Sequence, residues 1–163
     1  MSDHHQDEAP LDAKVLTVSD GVIAGTREDR SGEALAARLA EAGWRVVEER
    51  VVADGIDSVR DALVEMAEGF SGLIATTGGT GFGPRDLTPE GTRAAIDREA
   101  PGLAEAMRLV SPLGRLSRGI AGTVGQAVVV NGPGSTKGAV ETIEAVLDVL
   151  PHAVRLLAGE REH

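Results

Sequence analysis

The 163-residue chain has a formal charge of −10, no cysteine, four histidines and 42% hydrophobic residues. That length suits one domain able to bury a core without staples. The missing thiols exclude disulfides, iron–sulfur clusters, thiolate metal sites and cysteine nucleophiles, and the acidic balance argues against a nucleic-acid surface or an anionic membrane, each of which asks for a basic patch.

Met1 to Asp12 is polar and reads as a frayed tail, with His4-His5 solvated. It lacks the apolar stretch of a signal peptide, and no later run approaches the ~20 residues needed to span a bilayer, so a soluble cytoplasmic protein with no membrane contact is expected. One domain is predicted over residues 13–158, followed by a polar tail over 159–163. His163 lies in that tail and only His152 in a structured segment, so histidine chemistry is not expected.

Lys14 to Asp20 is a β-branched run stopped by Ser19-Asp20-Gly21, the pattern of a buried strand ending in a turn. Ser31 is placed as the N-cap of a helix with Leu35, Leu39 and Ala42 on one face, ended by Gly43. Trp44 to Val52 is a second strand, with Glu48-Glu49-Arg50 at a kink or an edge, and Ala53-Asp54-Gly55 turns the chain. Ile56, Val59, Leu63, Met66 and Phe70 mark a helix with one buried face, and Gly72 to Ala75 a third strand. Two helices are predicted next, Pro89 to Glu99, capped by Thr88, and Gly102 to Val110, then a loop from Ser111 to Arg118. Ile120 to Gly125 is extended, Ala127 to Val130 is a strand buried on both faces, and Val140 to Leu157 keeps a helical spacing that Pro151 kinks or restarts. Strands alternating with helices predict an α/β fold, a mostly parallel sheet covered on both faces.

In such sheets ligands bind beyond the carboxyl ends of the strands. Four of those ends carry glycine or polar residues: Ser19 to Gly21, Ala53 to Gly55, Thr76 to Asp86, and Asn131 to Lys137. One site built from all four is the economical reading. The longest, Thr76-Thr77-Gly78-Gly79-Thr80-Gly81-Phe82-Gly83-Pro84-Arg85-Asp86-Leu87-Thr88-Pro89-Glu90, can crowd backbone N–H groups around an anion, because residues without Cβ let the chain approach a ligand closely. Arg85 adds a fork of donors for phosphate or carboxylate, and Asp86, with Asp54 on another loop, offers oxygen to Mg²⁺. A second anion cradle is expected at Gly132 to Gly138, with Ser135 as N-cap of the last helix and Lys137 as a point charge. Neither stretch has the G-x-G-x-x-G or Walker A spacing, which demotes a dinucleotide fold and a P-loop ATPase. An arginine of the Ser111 to Arg118 loop is a further candidate phosphate contact.

Thr17-Val18-Ser19-Asp20, Asp29-Arg30-Ser31-Gly32, Val51 to Asp54, Thr77 to Glu90, Pro101-Gly102 with Glu105 and Arg108, Leu116-Ser117-Arg118 and Pro133-Gly134-Ser135 together resemble the molybdopterin adenylyltransferase family, the Mog and MoaB proteins with related domains in gephyrin-type proteins. The resemblance runs from about Lys14 to Leu157. It implies a three-layer α/β sandwich, usually a trimer, that binds Mg-ATP and molybdopterin and lets the terminal phosphate of molybdopterin attack the α-phosphate of ATP. Adenylylated molybdopterin and pyrophosphate result, and the molybdate-inserting enzyme is a candidate partner. Matched position by position, Asp54 and Asp86 stand at the family's functional aspartates, Gly78 to Gly81 at its nucleotide and pterin loop, and Ser135 at its second phosphate loop. The implied substrate-binding set is Ser19, Asp20, Ser31, Thr77, Gly78, Gly79, Thr80, Gly81, Arg85, Ser117, Arg118, Pro133, Gly134, Ser135 and Lys137. Departures are Gly55 where a second acidic residue is common, Glu33 where proline is usual, and Gly132, Thr136 and Gly138 around the second loop. A non-catalytic molybdopterin carrier of the same fold, or a different nucleotide-linked enzyme on the same sheet, are the alternatives.

Overall fold

Short runs of valine, leucine, isoleucine and alanine make strands because such side chains fit a pleated, buried surface, and the glycines and aspartates after them end the extended run. In the computed structural model, which describes residues 9–160, these runs become β1 (Asp12–Val18), β2 (Arg45–Val52), β3 (Ser71–Thr77), β5 (Ala121–Val124) and β6 (Gln126–Gly132), with a two-residue β4 (Arg98–Glu99). Between them lie α1 (Asp20–Ile23), α2 (Arg30–Glu41), α3 (Ile56–Ala67), α4 (Thr88–Ala95), α5 (Pro101–Arg108), α6 (Thr136–Glu144) and α7 (Leu150–Leu157). The tail histidines His4, His5 and His163 lie outside the described residues.

The sheet order is β2-β1-β3-β6-β5-β4. β2, β1, β3 and β6 run parallel, whereas β5 is antiparallel to β6 and β4 to β5. Side chains alternate across the pleat, so Val15, Leu73, Ala75, Val128 and Val130 meet α2, α5, α6 and α7 on one face. Leu16, Val18, Ile74 and Val129 meet α3 and the end of α4 on the other. The expected three-layer α/β sandwich is what forms. Leu16, Leu35, Leu39, Leu63, Leu73 and Ile143 are all but inaccessible to water; each such burial contributes about 1.5–3 kcal/mol, which is what clamps both helical layers to the sheet.

β2 is the edge strand, and its pairing with β1 slips by one residue between Ala13 and Lys14, leaving Val47 as a bulge. Bulges and charges blunt an exposed edge. Of the kink or edge expected at Glu48 to Arg50, the edge is what forms, with the bulge just before it at Val47. Lys14 reaches under this edge, 3.2 Å from Glu48, donating to the Met66 carbonyl at 2.8 Å and lying 4.3 Å from the centre of the Phe70 ring.

Several boundaries differ from expectation. β1 starts at Asp12, one residue inside the segment read as a tail, because Asp12 pairs with Arg45 in the register. α2 is capped by Asp29, not Ser31: its carboxylate accepts from the Gly32 amide at 3.1 Å and from the Thr17 hydroxyl at 2.9 Å, so a strand residue selects between two capping side chains. Thr88 lies inside α4 and its hydroxyl turns back to the Gly78 carbonyl at 2.9 Å. α4 stops at Ala95, since the chain must re-enter the sheet at β4. The loop after α5 winds a 3₁₀ turn over Pro112–Leu116. The last helical stretch breaks through turns at residues 145–149, and Pro151 sits in the first turn of α7, restarting the helix.

Asn131 locks the point where the parallel strands end. It is 4% exposed; its amide donates to Thr76 and Thr92 hydroxyls at 3.1 and 3.0 Å, and its side-chain oxygen accepts from the Ile120 amide at 3.1 Å. Each bond nets only about 1 kcal/mol, but an unpaired buried amide costs ~1–3 kcal/mol, so β3, β6, α4 and the start of β5 are held in one arrangement.

Candidate active site

Register brings the strand ends together: Val18 lies beside Val52, Thr17 beside Thr77, and Thr77 beside Gly132. Residues just past these pairs border one cleft of about 920 Å³, and all four expected strand-end segments reach it. That volume is at the upper end for a small-molecule pocket. Ser19, Ser31, Asp54, Thr77, Gly78, Gly79, Thr80, Gly81, Asp86, Ser117, Pro133, Gly134 and Ser135 line it.

The glycine loop owes its path to two residues that have no Cβ. Gly78 has φ +102° and Gly79 φ +70°, values that other residues rarely adopt. A Cβ on Gly78 would come within 2.3 Å of the Val18 carbonyl, and one on Gly79 within 2.2 Å of the Thr88 hydroxyl. The next turn is closed by Asp86 Oδ2, which accepts from the Gly83 amide at 2.9 Å. The second loop runs from β6 into α6, where Ser135 caps the helix by accepting from the Gly138 amide at 3.1 Å. The Thr77 hydroxyl donates to the Pro133 carbonyl at 2.7 Å and ties the two loops together. The amino termini of α2 and α6 both open on the cleft through Ser31 and Ser135–Thr136, with the free N–H groups and dipole that favour anions.

Four other expected contacts, Asp20, Arg85, Arg118 and Lys137, do not line the large cleft. Arg85 and Arg118, expected to meet phosphate, are turned to protein partners. Arg85 forks onto the Asp20 carboxylate at 2.8 and 3.1 Å and onto the Asp54 carbonyl at 3.0 Å. Arg118 donates to the Gly81 carbonyl at 2.8 Å and to Glu90 at 2.7 Å, bracing the glycine loop from behind. Lys137 faces a side cavity of about 220 Å³ behind the second loop, which shares Ser117, Pro133 and Ser135 with the cleft.

The electrostatics single out the aspartates. Burial pushes the Asp54 carboxyl above its ordinary 3.8, and the negative charges of Asp20 and Asp86 push it the same way, against the hydrogen bond from the Asp20 amide. The Arg85 hydrogen bond holds Asp20 below 3.8. A half-buried carboxylate facing two others gains from a cation. Among the described residues no three His, Asp or Glu side chains converge as a metal cage. Two carboxylates, Asp54 and Asp86, on one cleft are a donor set suited to a cation that takes one or two carboxylates and completes its shell with phosphate oxygens and water, which is the habit of Mg²⁺.

Comparison with known proteins gives the family. Residues 14–152 match the family model described as a probable molybdopterin binding domain. The chain belongs to the molybdopterin-binding domain family. A protein of Helicobacter pylori named molybdopterin adenylyltransferase is 37% identical over 152 residues, 89% of this chain and 86% of its own. An Escherichia coli protein of that name is 34% identical over 164 residues, again 89% of this chain and 84% of its own. Among solved structures, the molybdopterin biosynthesis enzyme MoaB of Thermus thermophilus superposes with a TM-score of 0.85 at 46% identity, covering 92% of this chain and 98% of its own.

Within this molybdopterin-binding domain, two of the departures have local explanations. Gly55 adopts φ +138° ahead of α3, a conformation an acidic side chain would strain. Glu33 is exposed on α2 and does not line the cleft. Sequence reasoning missed Arg27 and Arg30, which line the cleft beside Thr26 and Glu28. The signal was available: the charged run Arg27 to Arg30 lies in the connection from the carboxyl end of β1 to α2, on the side where ligands bind. Leu113 and Leu116, on the 3₁₀ turn, also line it, and nothing local in the sequence marks them, because only the return of β5 to the sheet brings that turn over the glycine loop.

Proposed function

We propose that the protein is a molybdopterin adenylyltransferase of molybdenum cofactor synthesis, acting on ATP and molybdopterin. The observation that carries this is the meeting of Asp54 and Asp86 with two glycine-rich, amide-lined loops in one cleft; the names borne by relatives covering most of the chain give it its substrates. In the reaction, an oxygen of the terminal phosphate of molybdopterin forms a bond to the α-phosphorus of ATP. The bond from that phosphorus to the bridging oxygen breaks, and pyrophosphate leaves. No covalent nucleophile is required, only alignment and charge neutralisation.

The N–H groups of Gly79 to Gly81 and of the α6 amino terminus hold phosphate oxygens, with Ser19, Ser31, Ser117 and Ser135 as further hydrogen-bonding groups around them; the Gly78 N–H is spent on the Gly132 carbonyl at 3.1 Å. Arg27 and Arg30 supply positive charge at the rim, and Lys137 supplies it behind the second loop. Asp54 and Asp86 hold Mg²⁺, which when bound neutralises phosphate charge. Leu113 and Leu116 give the cleft an apolar wall suited to a flat ring. A cytoplasmic trimer, handing its product to a molybdate-inserting enzyme, completes the reading.

Pyrophosphate release from Mg-ATP by the purified protein, with and without molybdopterin and with the product weighed by mass spectrometry, tests it. Release that requires molybdopterin, with AMP on the pterin, is the expected result. Molybdopterin binding without release would make the protein a carrier, and release from ATP alone would make it a different nucleotide-linked enzyme.

A further inference from the structure

Asp54 is held by groups that do not touch the cleft. Its amide donates to Asp20 Oδ1 at 3.0 Å, and the Asp20 amide donates to Asp54 Oδ2 at 2.9 Å. This reciprocal clasp joins the ends of β1 and β2. It also sets two carboxylates side by side, and like charges at that range repel. Arg85 closes the junction from the glycine loop. Its Nε and Nη2 grip both oxygens of Asp20 at 2.8 and 3.1 Å, and Nη2 also meets the Asp54 carbonyl at 3.0 Å. Neither Asp20 nor Arg85 lines the cleft, and each is well exposed.

We infer that Asp20 and Arg85 are positioning residues for Asp54, and that Arg85 serves by balancing and orienting the Asp20–Asp54 clasp rather than by meeting a phosphate. The inference rests on the proposed function only for what Asp54 then does. An exposed ion pair contributes little to stability, so its consequence lies in geometry: three loops from β1, β2 and β3 share one junction, and the Asp54 carboxylate cannot shift without breaking the Asp20 amide bond. The bidentate fork on Asp20, with a third bond to backbone, is a geometry that an ammonium point charge does not reproduce.

The two roles for Arg85 separate cleanly by experiment. Arg85→Gln leaves Asp20 and Asp54 facing each other uncompensated. If Arg85 positions, kcat falls roughly ten- to hundredfold, the scale of a misplaced catalytic group, while KM for ATP stays within about twofold, as when an interaction other than uniform binding is lost. Adding Asp20→Asn then restores most of kcat, because the asparagine oxygen still accepts from the Asp54 amide and the repulsion is gone. Asp20→Ala, which removes that acceptor, lowers kcat with KM kept. Amide hydrogen exchange read by NMR gives a measure independent of turnover: exchange at Asp20 and Asp54 speeds up roughly tenfold in Arg85→Gln and slows again in the double variant. A raised KM for ATP with kcat preserved, or no rescue by Asp20→Asn, or unchanged exchange in Arg85→Gln, would overturn the inference. If the wild-type protein released no pyrophosphate, the proposed function would fail while the exchange measurement still decided the clasp.

Discussion

The two anion-type loops of the cleft are built in opposite ways. The loop after β3 is buttressed from outside. Thr88 binds the Gly78 carbonyl with its hydroxyl and the Gly79 carbonyl with its amide, at 2.9 and 3.0 Å, and Arg118 takes the Thr80 and Gly81 carbonyls, each at 2.8 Å. The loop after β6 has the Thr77 tether and its own Ser135 cap, and Gly134 to Lys137 are exposed. The difference follows from what each carries. In the proposed reaction the first holds a carboxylate whose placement matters to the reacting atoms, and a misplacement of even ~1 Å would be costly there. The second presents a helix amino terminus, whose N–H groups are fixed by the helix itself and need no buttress.

If that contrast is right, the largest effect belongs to the first loop. Asp86→Asn keeps the acceptor for the Gly83 amide but removes a charge, so pyrophosphate release should fall by roughly a hundredfold or more, as when a charge-stabilising group at a reacting centre is lost. Molybdopterin binding, followed by fluorescence titration, should change little. Retained turnover would remove Asp86 from the proposed site.

A matched pair of glycine substitutions compares the loops directly. Gly79→Ala forces an alanine to φ +70° and drives its Cβ to 2.2 Å from the Thr88 hydroxyl; strain and crowding together should cost about 2–4 kcal/mol in urea unfolding. Gly134→Ala has no positive φ to support, and its Cβ would lie 3.3 Å from the Gly78 Cα. That contact is tight enough that the loops must part by a few tenths of an ångström, so a cost of about 1 kcal/mol, well below that of Gly79→Ala, is expected. Equal costs at the two positions would mean that the loops are equally constrained.

The same contrast decides what could be read from sequence. The strand ends were legible because valine-rich runs stopped by Ser-Asp, Ala-Asp, Thr-Gly and Asn-Gly are local signals, and parallel strands must end on one edge. Asp54, Asp86 and the Ser135 cap followed from that placement. The arginine supports were not legible, because they act across 28 to 65 residues of sequence: Arg118 on Glu90 and Arg85 on Asp20. An arginine beside a glycine loop looks like a phosphate ligand until the fold shows which carboxylate already holds it. The capping errors have a similar origin. Asp29 and Ser31 are both good caps, and the Thr17 hydroxyl, brought there by β1, favours Asp29.

A smaller effect is expected at the second loop's own support. Ser135→Ala removes the cap of α6 and should cost about 1 kcal/mol in the same unfolding assay. No ionisable group takes part in that bond, so the cost should not vary with pH.

The smallest effect, and the most diagnostic of the buttress, is electrostatic. The hydrogen bond from Arg118 holds Glu90 below its ordinary 4.5, outweighing desolvation, which acts the other way. Both side chains keep about a third or more of their surface exposed, 31% for Arg118 and 41% for Glu90, so screening limits the contribution to on the order of 0.5 kcal/mol. Its sign is fixed. Because the folded value is the lower one, the contribution is fully present above 4.5, where Glu90 is ionised in both states. As pH falls further, the unfolded chain takes up the proton first, and the contribution fades as pH passes down through the depressed folded value. The stability difference between the wild-type protein and Glu90→Gln should therefore stand at neutral pH and close once pH has fallen below the depressed folded value, while the Ser135→Ala difference stays flat over the same window. A Glu90 difference that survives acid would mean that shape rather than charge braces the first loop; a Ser135 difference that titrates would mean that the second loop leans on a charge as well, and the two loops would no longer be opposites.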